Sequence, residues 1–171
     1  MAIVEMSNNE EIPIITSKEI KLALLKYYRF ERSMVVGTEV NHADILAISN
    51  DLNSSYEVEV KVSLSDLKKD FSNKRAKHAH IDNSMNVFNP NYFYFCFPNY
   101  LLDKALSIIA ESNEKYGIMI YKRYGTTKGN GHIDIIKRAK KVNHSGNDKL
   151  YEALVKRISS ELINMYIKYE K

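Results

Sequence analysis

The chain has no second cysteine to pair with Cys96, which excludes an internal disulfide. Cys96 sits inside the apolar run YFYFCF, so it reads as a small buried hydrophobe, with the cytoplasm as the expected compartment. No apolar run approaches the roughly 20 residues that span a bilayer, and no membrane partner is expected. The opening, MAIVEMSNNEEIPI, lacks a basic stretch followed by an apolar core, so no secretion signal is expected there. Gly125, Gly129 and Gly131 accompany Lys128 in a basic turn, but the Gly-Lys-Ser/Thr ending of a nucleotide-binding P-loop is missing. His78 and His80 stand two apart outside any strand pattern and do not read as zinc ligands. There is no internal repeat, low-complexity tract or linker.

What is present is enough for one core. At 171 residues and 44% hydrophobic content, a single domain over 1–171 is expected. Charge is unevenly placed. Residues 1–60 carry 5 basic and 10 acidic side chains, 61–80 carry 6 and 2, and 122–141 carry 7 and 1. Carboxylates beside two basic stretches suit a polyanion that is bound strongly and also touched by a metal, although such runs also serve as plain solvated faces.

Thr16-x-x-Glu19 fits a capping box for an amphipathic helix that runs to about Phe30 through Ile20, Ala23, Leu24, Tyr27 and Tyr28. Strands are predicted over Ser33 to Glu39, Ala43 to Ser49 and Tyr56 to Val62, with turn chemistry between the last two, which makes a meander. Ser63 caps a second helix with Leu64, Leu67 and Phe71 on one face and Lys68, Lys69, Lys74, Arg75 and Lys77 over much of the rest. Residues 79–91 read as a loop. Tyr92 to Phe97 is apolar or aromatic at every position, the pattern of a strand covered on both faces. A helix over Tyr100 to Ser112, strands over Gly117 to Tyr121 and His132 to Ile136, and a last helix with the stripe Leu150, Leu154, Ile158, Leu162, Met165, Tyr166 and Tyr169 complete an α/β sandwich with a mixed sheet.

The stretch from Val36 to Asp70 carries the chemistry. Asp44 is the lone charge in Ala43-Asp44-Ile45-Leu46-Ala47-Ile48, where a carboxylate is costly unless paired or bound to a metal. In Glu57-Val58-Glu59-Val60-Lys61 the period of two puts the charges on one face and the valines on the other. If the strands of Asp44 and Glu59 are neighbours, the two carboxylates and the carbonyl of Val60 offer the oxygen set that Mg²⁺ prefers, with Mn²⁺ a natural substitute. Lys61, two residues on, would orient or help deprotonate an attacking water, or neutralise charge on the phosphate. The same residues also fit a strand-end carboxylate and a surface Glu–Lys pair. Glu57 and Glu39 are additional acidic candidates, each with a surface reading beside it. Ser63 caps its helix or touches a phosphate there. Lys68, Lys69, Lys74, Arg75, Lys77 and Lys128 contact nucleic-acid phosphates or line solvated faces.

Taken together, Glu39, Ala43-Asp44-Ile45-Leu46, Glu57-Val58-Glu59-Val60-Lys61-Val62-Ser63 and Asp66-Leu67-Lys68-Lys69-Asp70-Phe71 resemble the PD-(D/E)XK, restriction-endonuclease-like nuclease superfamily. Within it the chain is most similar to small phage and prokaryotic DNA-repair or Holliday-junction-resolvase-type members. The resemblance implies an αβββαβ core with a mixed central sheet flanked by helices, covering residues 17–97 and, with the next helix and strand, extending to about 121. Residues 122–171 would then be an elaboration. It also implies a DNA endonuclease, active on branched or structured DNA. Asp44 and Glu59 would bind the metal, Lys61 would support hydrolysis, and Glu19 would be an additional acid from the first helix, where capping is its competing role. Alanine precedes Asp44 where many members have proline, and Glu57 competes with Glu59 for the metal position, with the spacing to Lys61 favouring Glu59. RNA as substrate and a homodimer are compatible expectations. The alternative is a non-catalytic nucleic-acid-binding module of the same fold, or a subunit of a DNA-processing complex; a purely structural or interaction protein is a third.

Overall fold

Three successive alternating segments build the first half of the sheet. In the computed structural model of the chain, which describes residues 14–73, 75–81 and 86–170, β1 (Val35–Val40), β2 (Ala43–Ile48) and β3 (Ser55–Val60) form an antiparallel meander. The β1–β2 connection is the two-residue turn Asn41-His42, both at positive φ (49° and 70°). That geometry matches the twist of the flanking strands, and asparagine and histidine tolerate it better than most residues.

β4 (Tyr92–Pro98) lies parallel to β3, and β5 (Gly117–Arg123) parallel to β4. A parallel pair needs a crossover. α2 (Leu64–Asn73) and α3 (Arg75–Ile81) supply the first, and α4 (Leu102–Ser112) the second. β6 (Gly131–Lys137) returns antiparallel on β5 and completes a mixed six-stranded sheet in the order β1-β2-β3-β4-β5-β6. Helices cover both faces. α1 (Ser17–Lys26) packs Ile20 and Leu24 with Ile45, Val58, Val60, Cys96 and Met119. On the other face Leu67, Ala105 and Ile109 meet Phe93, Phe95, Phe97 and Ile118. The predicted two-sided strand therefore divides cleanly, phenylalanines to one side and Tyr94 and Cys96 to the other. Burial alone pushes the Cys96 thiol far up from its usual range.

Two expectations shift. The helix begun at Ser63 is described over Leu64–Asn73 and Arg75–Ile81, with Lys74 outside the described residues. α3 then continues to Ile81, where a loop was expected from residue 79; Ile81 is 2% exposed and packs in the Phe93 cluster, so its burial anchors the extra turn. The rest of that expected loop is described only from Asn86. The regular part of α1 ends at Lys26, and a wider turn over Tyr27–Glu31 follows, in which the Arg32 N–H reaches the Tyr27 carbonyl at 3.0 Å. Both Tyr27 and Tyr28 are buried, and the extra residue in the turn accommodates both rings.

α5 (Asp148–Tyr169) packs Leu150 and Leu154 on Leu46 and Ile48, with Ile158 against them. Gly37 permits this approach: a Cβ there would lie 2.8 Å from Leu154 Cδ1. The later part of the expected stripe is not packed, since Leu162, Met165, Tyr166 and Tyr169 are exposed. A 22-residue helix spans about 33 Å, while a six-residue strand spans about 20 Å, so the helix overruns the sheet. Among the described residues, no helix is long and apolar enough to cross a membrane.

Candidate functional site

The register of β2 on β3 runs from Ile48↔Ser55 to Ile45↔Val58 and stops there. One step further, where Asp44 would face Glu59, the two strands part. The Val60 N–H, which would have continued the ladder, instead donates to Asp44 Oδ2 at 2.8 Å. A carboxylate thus replaces a backbone carbonyl at the open end of the sheet. The Val60 carbonyl lies on the same strand edge as its N–H and faces the same notch. On the other side the β1–β2 register sets Glu39 across from Asp44. Three carboxylates therefore lie in a row over β1, β2 and β3.

This row borders a cleft of about 560 Å³ lined by Glu39, Asp44, Glu59, Val60, Lys61 and Asp70, among others. Ser17 of α1 and Lys69 of α2 stand at its walls. Glu57 lines the neighbouring hollow instead, with Lys77. Of the two glutamates that compete by sequence, Glu59 is the one that shares a cleft with Asp44.

Among the described residues, three lysines hold these acids. Lys21 Nζ lies 2.7 Å from Asp44 Oδ1 and is also bonded to Glu39. Lys61 Nζ lies 2.6 Å from Asp70 Oδ1 and 3.3 Å from Glu59 Oε2. Lys77 Nζ lies 2.7 Å from Glu57 Oε1 and is also bonded to Glu59 Oε1. Burial acts to lower the pKa of Lys21, but its bonds to Asp44 and Glu39 outweigh that and hold it above its ordinary value. For Lys77 burial also works downward, and the charges of Glu57 and Glu59 again prevail and raise it. Asp70 is tied inward as well: its Oδ2 meets His78 Nε2 at 3.0 Å, and His78 Nδ1 meets the Tyr116 hydroxyl at 2.8 Å.

Other predicted site residues fall elsewhere. Glu19 is not brought to Asp44 and Glu59. Its carboxylate takes the Arg123 Nε–H at 2.6 Å, the Tyr121 hydroxyl at 2.7 Å and the Gly129 N–H at 3.3 Å. The hydrogen bond from Arg123, with smaller help from Tyr121 and Gly129, overcomes burial and lowers its pKa to about 2. The α1 side chain that does reach Asp44 is Lys21. The Glu19 N–H donates to Thr16 Oγ1 at 3.3 Å, as a capped helix requires. Ser63 Oγ likewise accepts the Asp66 N–H at 3.2 Å. Lys68 and Lys69 are exposed on α2, and Lys128 is exposed beside Glu19, away from the cleft. Lys77, expected to face phosphate, is turned inward onto Glu57 and Glu59. Lys74 and the Arg75 side chain lie outside the described residues.

Lys21, Asp70 and His78 were missed by reading the sequence for the site. Asp70 had a usable signal: it falls between Leu67 and Phe71 on the apolar side of its helix, the same anomaly that singled out Asp44. Lys21 had none, because its partners come from strands 18 and 23 residues away. Among the described residues no three His, Cys, Asp or Glu side chains group as a metal site. Two carboxylates and a carbonyl remain a workable set of hard oxygen donors for a cation such as Mg²⁺, which is usually held by one or two carboxylates and keeps several waters. No known family model matches the chain, and no curated protein matches its sequence.

Proposed function

We propose that the chain is a metal-dependent endonuclease that hydrolyses DNA phosphodiester bonds, built on the αβββαβ core of the PD-(D/E)XK nucleases in α1, β1, β2, β3, α2 and β4. The observation that carries this reading is the parting of β2 and β3, where Asp44 takes the Val60 N–H and shares one cleft with Glu59 and Lys61. Asp44, Glu59 and the Val60 carbonyl would hold Mg²⁺ or Mn²⁺. The ion, when bound, supplies Lewis-acid polarisation of the phosphoryl oxygen and a more acidic water.

The chain's own residues do the rest. Lys61 keeps its ammonium at the cleft wall through Asp70, within reach of a scissile phosphate and of the water that attacks it. Lys69 at the mouth and the α2 N-terminus at Ser63 face the polyanion, where backbone N–H groups favour phosphate. Lys68, exposed one residue along, extends that surface.

Purified protein with Mg²⁺ or Mn²⁺ is incubated with supercoiled, linear and branched DNA, and with RNA. Cutting is expected on DNA, and Asp44→Ala and Lys61→Ala should each reduce it by about 10³-fold. Undiminished cutting in both variants would overturn the assignment. One observation favours a second reading: both oxygens of Glu59 are already covered by lysines. A non-catalytic DNA-binding module would show affinity that falls steeply with salt, no metal effect and no cleavage.

A further inference from the structure

The three lysines share one feature. Each is forked between a proposed metal carboxylate and a second carboxylate: Lys21 between Asp44 and Glu39, Lys61 between Glu59 and Asp70, Lys77 between Glu59 and Glu57. An ammonium has three donors, so one lysine can hold both partners at once. It can also release one partner and keep the other without moving its chain. Among the described residues the pattern recurs three times, from α1, from the residue that follows β3 and from α3.

We propose that Glu39, Asp70 and Glu57 are holding positions for lysines that a divalent cation displaces from Asp44 and Glu59. This rests on the reading of the cleft as a metal centre. Without a cation the lysines neutralise the two ligand carboxylates and keep the sheet end from repelling itself open. When a cation arrives, each ammonium withdraws to the carboxylate it already touches. Without that second partner a buried ammonium would be stranded, and the exchange would be opposed. Lys61 shows the bias already, at 2.6 Å from Asp70 against 3.3 Å from Glu59. The same bond retains its ammonium at the cleft after Glu59 is taken. Asp70 is therefore a positioning residue for Lys61, and His78 with Tyr116 fixes Asp70 in turn.

Simple field effects make a different prediction from this exchange. If Glu39 only adds negative potential, removing it weakens cation binding whether or not Lys21 is there. If Glu39 acts by receiving Lys21, its removal matters only when Lys21 is present.

The test is Mn²⁺ affinity by calorimetry on the full chain, as a double-mutant cycle of Glu39→Gln and Lys21→Met. Glu39→Gln should weaken Mn²⁺ binding by about tenfold, in the range seen for groups that orient ligands. Lys21→Met should tighten binding, and Glu39→Gln should then have no further effect. Asp70→Asn and Lys61→Met should behave the same way, with Mn²⁺ binding restored in the double variant while cleavage stays lost. An equal loss from Glu39→Gln in both backgrounds, or no loss in either, overturns the exchange while leaving the metal centre standing. Failure of the unaltered protein to bind Mn²⁺ overturns both.

Discussion

Glu19 and Glu59 are both almost fully buried glutamates held by basic side chains, and they are held in opposite ways. Glu19 is gripped by arginine, with the Arg123 guanidinium bonded to both carboxylate oxygens and Tyr121 and Gly129 adding donors. Among the described residues, Lys61 and Lys77 both hold Glu59, and each has another carboxylate. A guanidinium is a rigid planar fork that matches a carboxylate, whereas an ammonium is a compact charge on a flexible stem. The first arrangement joins α1 to the β5–β6 hairpin. The second can be rearranged one bond at a time. Burial and charge alone do not distinguish these two carboxylates; among the described residues, the cations opposite them do.

The comparison breaks most visibly at Arg123. Arg123→Met leaves Glu19 charged and buried, and stability should fall by about 3 kcal/mol, roughly a 10 °C drop in Tm. Mn²⁺ affinity at the cleft should be unchanged, because Glu19 lies in a different hollow from Asp44. Thermal unfolding and calorimetry on one preparation check both halves. A variant that keeps its Tm but loses Mn²⁺ would mean that the two regions are one system.

The helix caps, the meander, the two-sided strand and the notch residues Asp44, Glu59 and Lys61 could all be read from local pattern. Each depends on spacing within a few residues, whether the step of two that aligns Glu57 with Glu59 or the three that separate Ser63 from Asp66. The partners of Glu19 were not legible. Tyr121 and Arg123 sit 102 and 104 residues away, and nothing in KRYGTTKGNG distinguishes an arginine that turns inward from its solvated neighbours. The capping-box spacing drew attention to Glu19 for a reason its side chain does not serve. Lys77 failed in the same way: its turn onto Glu57 and Glu59 is set by how α3 docks, which the basic run does not show. The stripe on α5 was legible, but a stripe does not say how far the surface beneath it extends, and its end is exposed.

Acid sharpens the contrast next. The Glu19 pKa is lowered from 4.5 to about 2. A depressed carboxylate contributes stability that is fully present above the unfolded value and is lost as pH falls through the folded one. Between about pH 4.5 and 2, the unaltered protein should therefore lose roughly 2 kcal/mol more than Glu19→Gln, which has no such group to protonate. Denaturant midpoints for the two proteins across that range provide the measurement. Parallel curves would show that Arg123 does not hold Glu19 as tightly as their contacts require.

The smallest effect on folding is expected at Lys21, and it completes the comparison. Like Arg123, Lys21 joins elements distant in sequence, and it touches two carboxylates. Its loss should nevertheless change stability by no more than about 1 kcal/mol. The Asp44 carboxylate keeps its Val60 N–H, and the Glu39 side chain, 52% exposed, can be solvated. Neither acid is stranded as Glu19 would be. Urea unfolding of Lys21→Met reads this directly. A loss as large as that of Arg123→Met would make Lys21 a second structural clamp, and the distinction between a fixed arginine and exchangeable lysines would fail at the residue where it should be clearest.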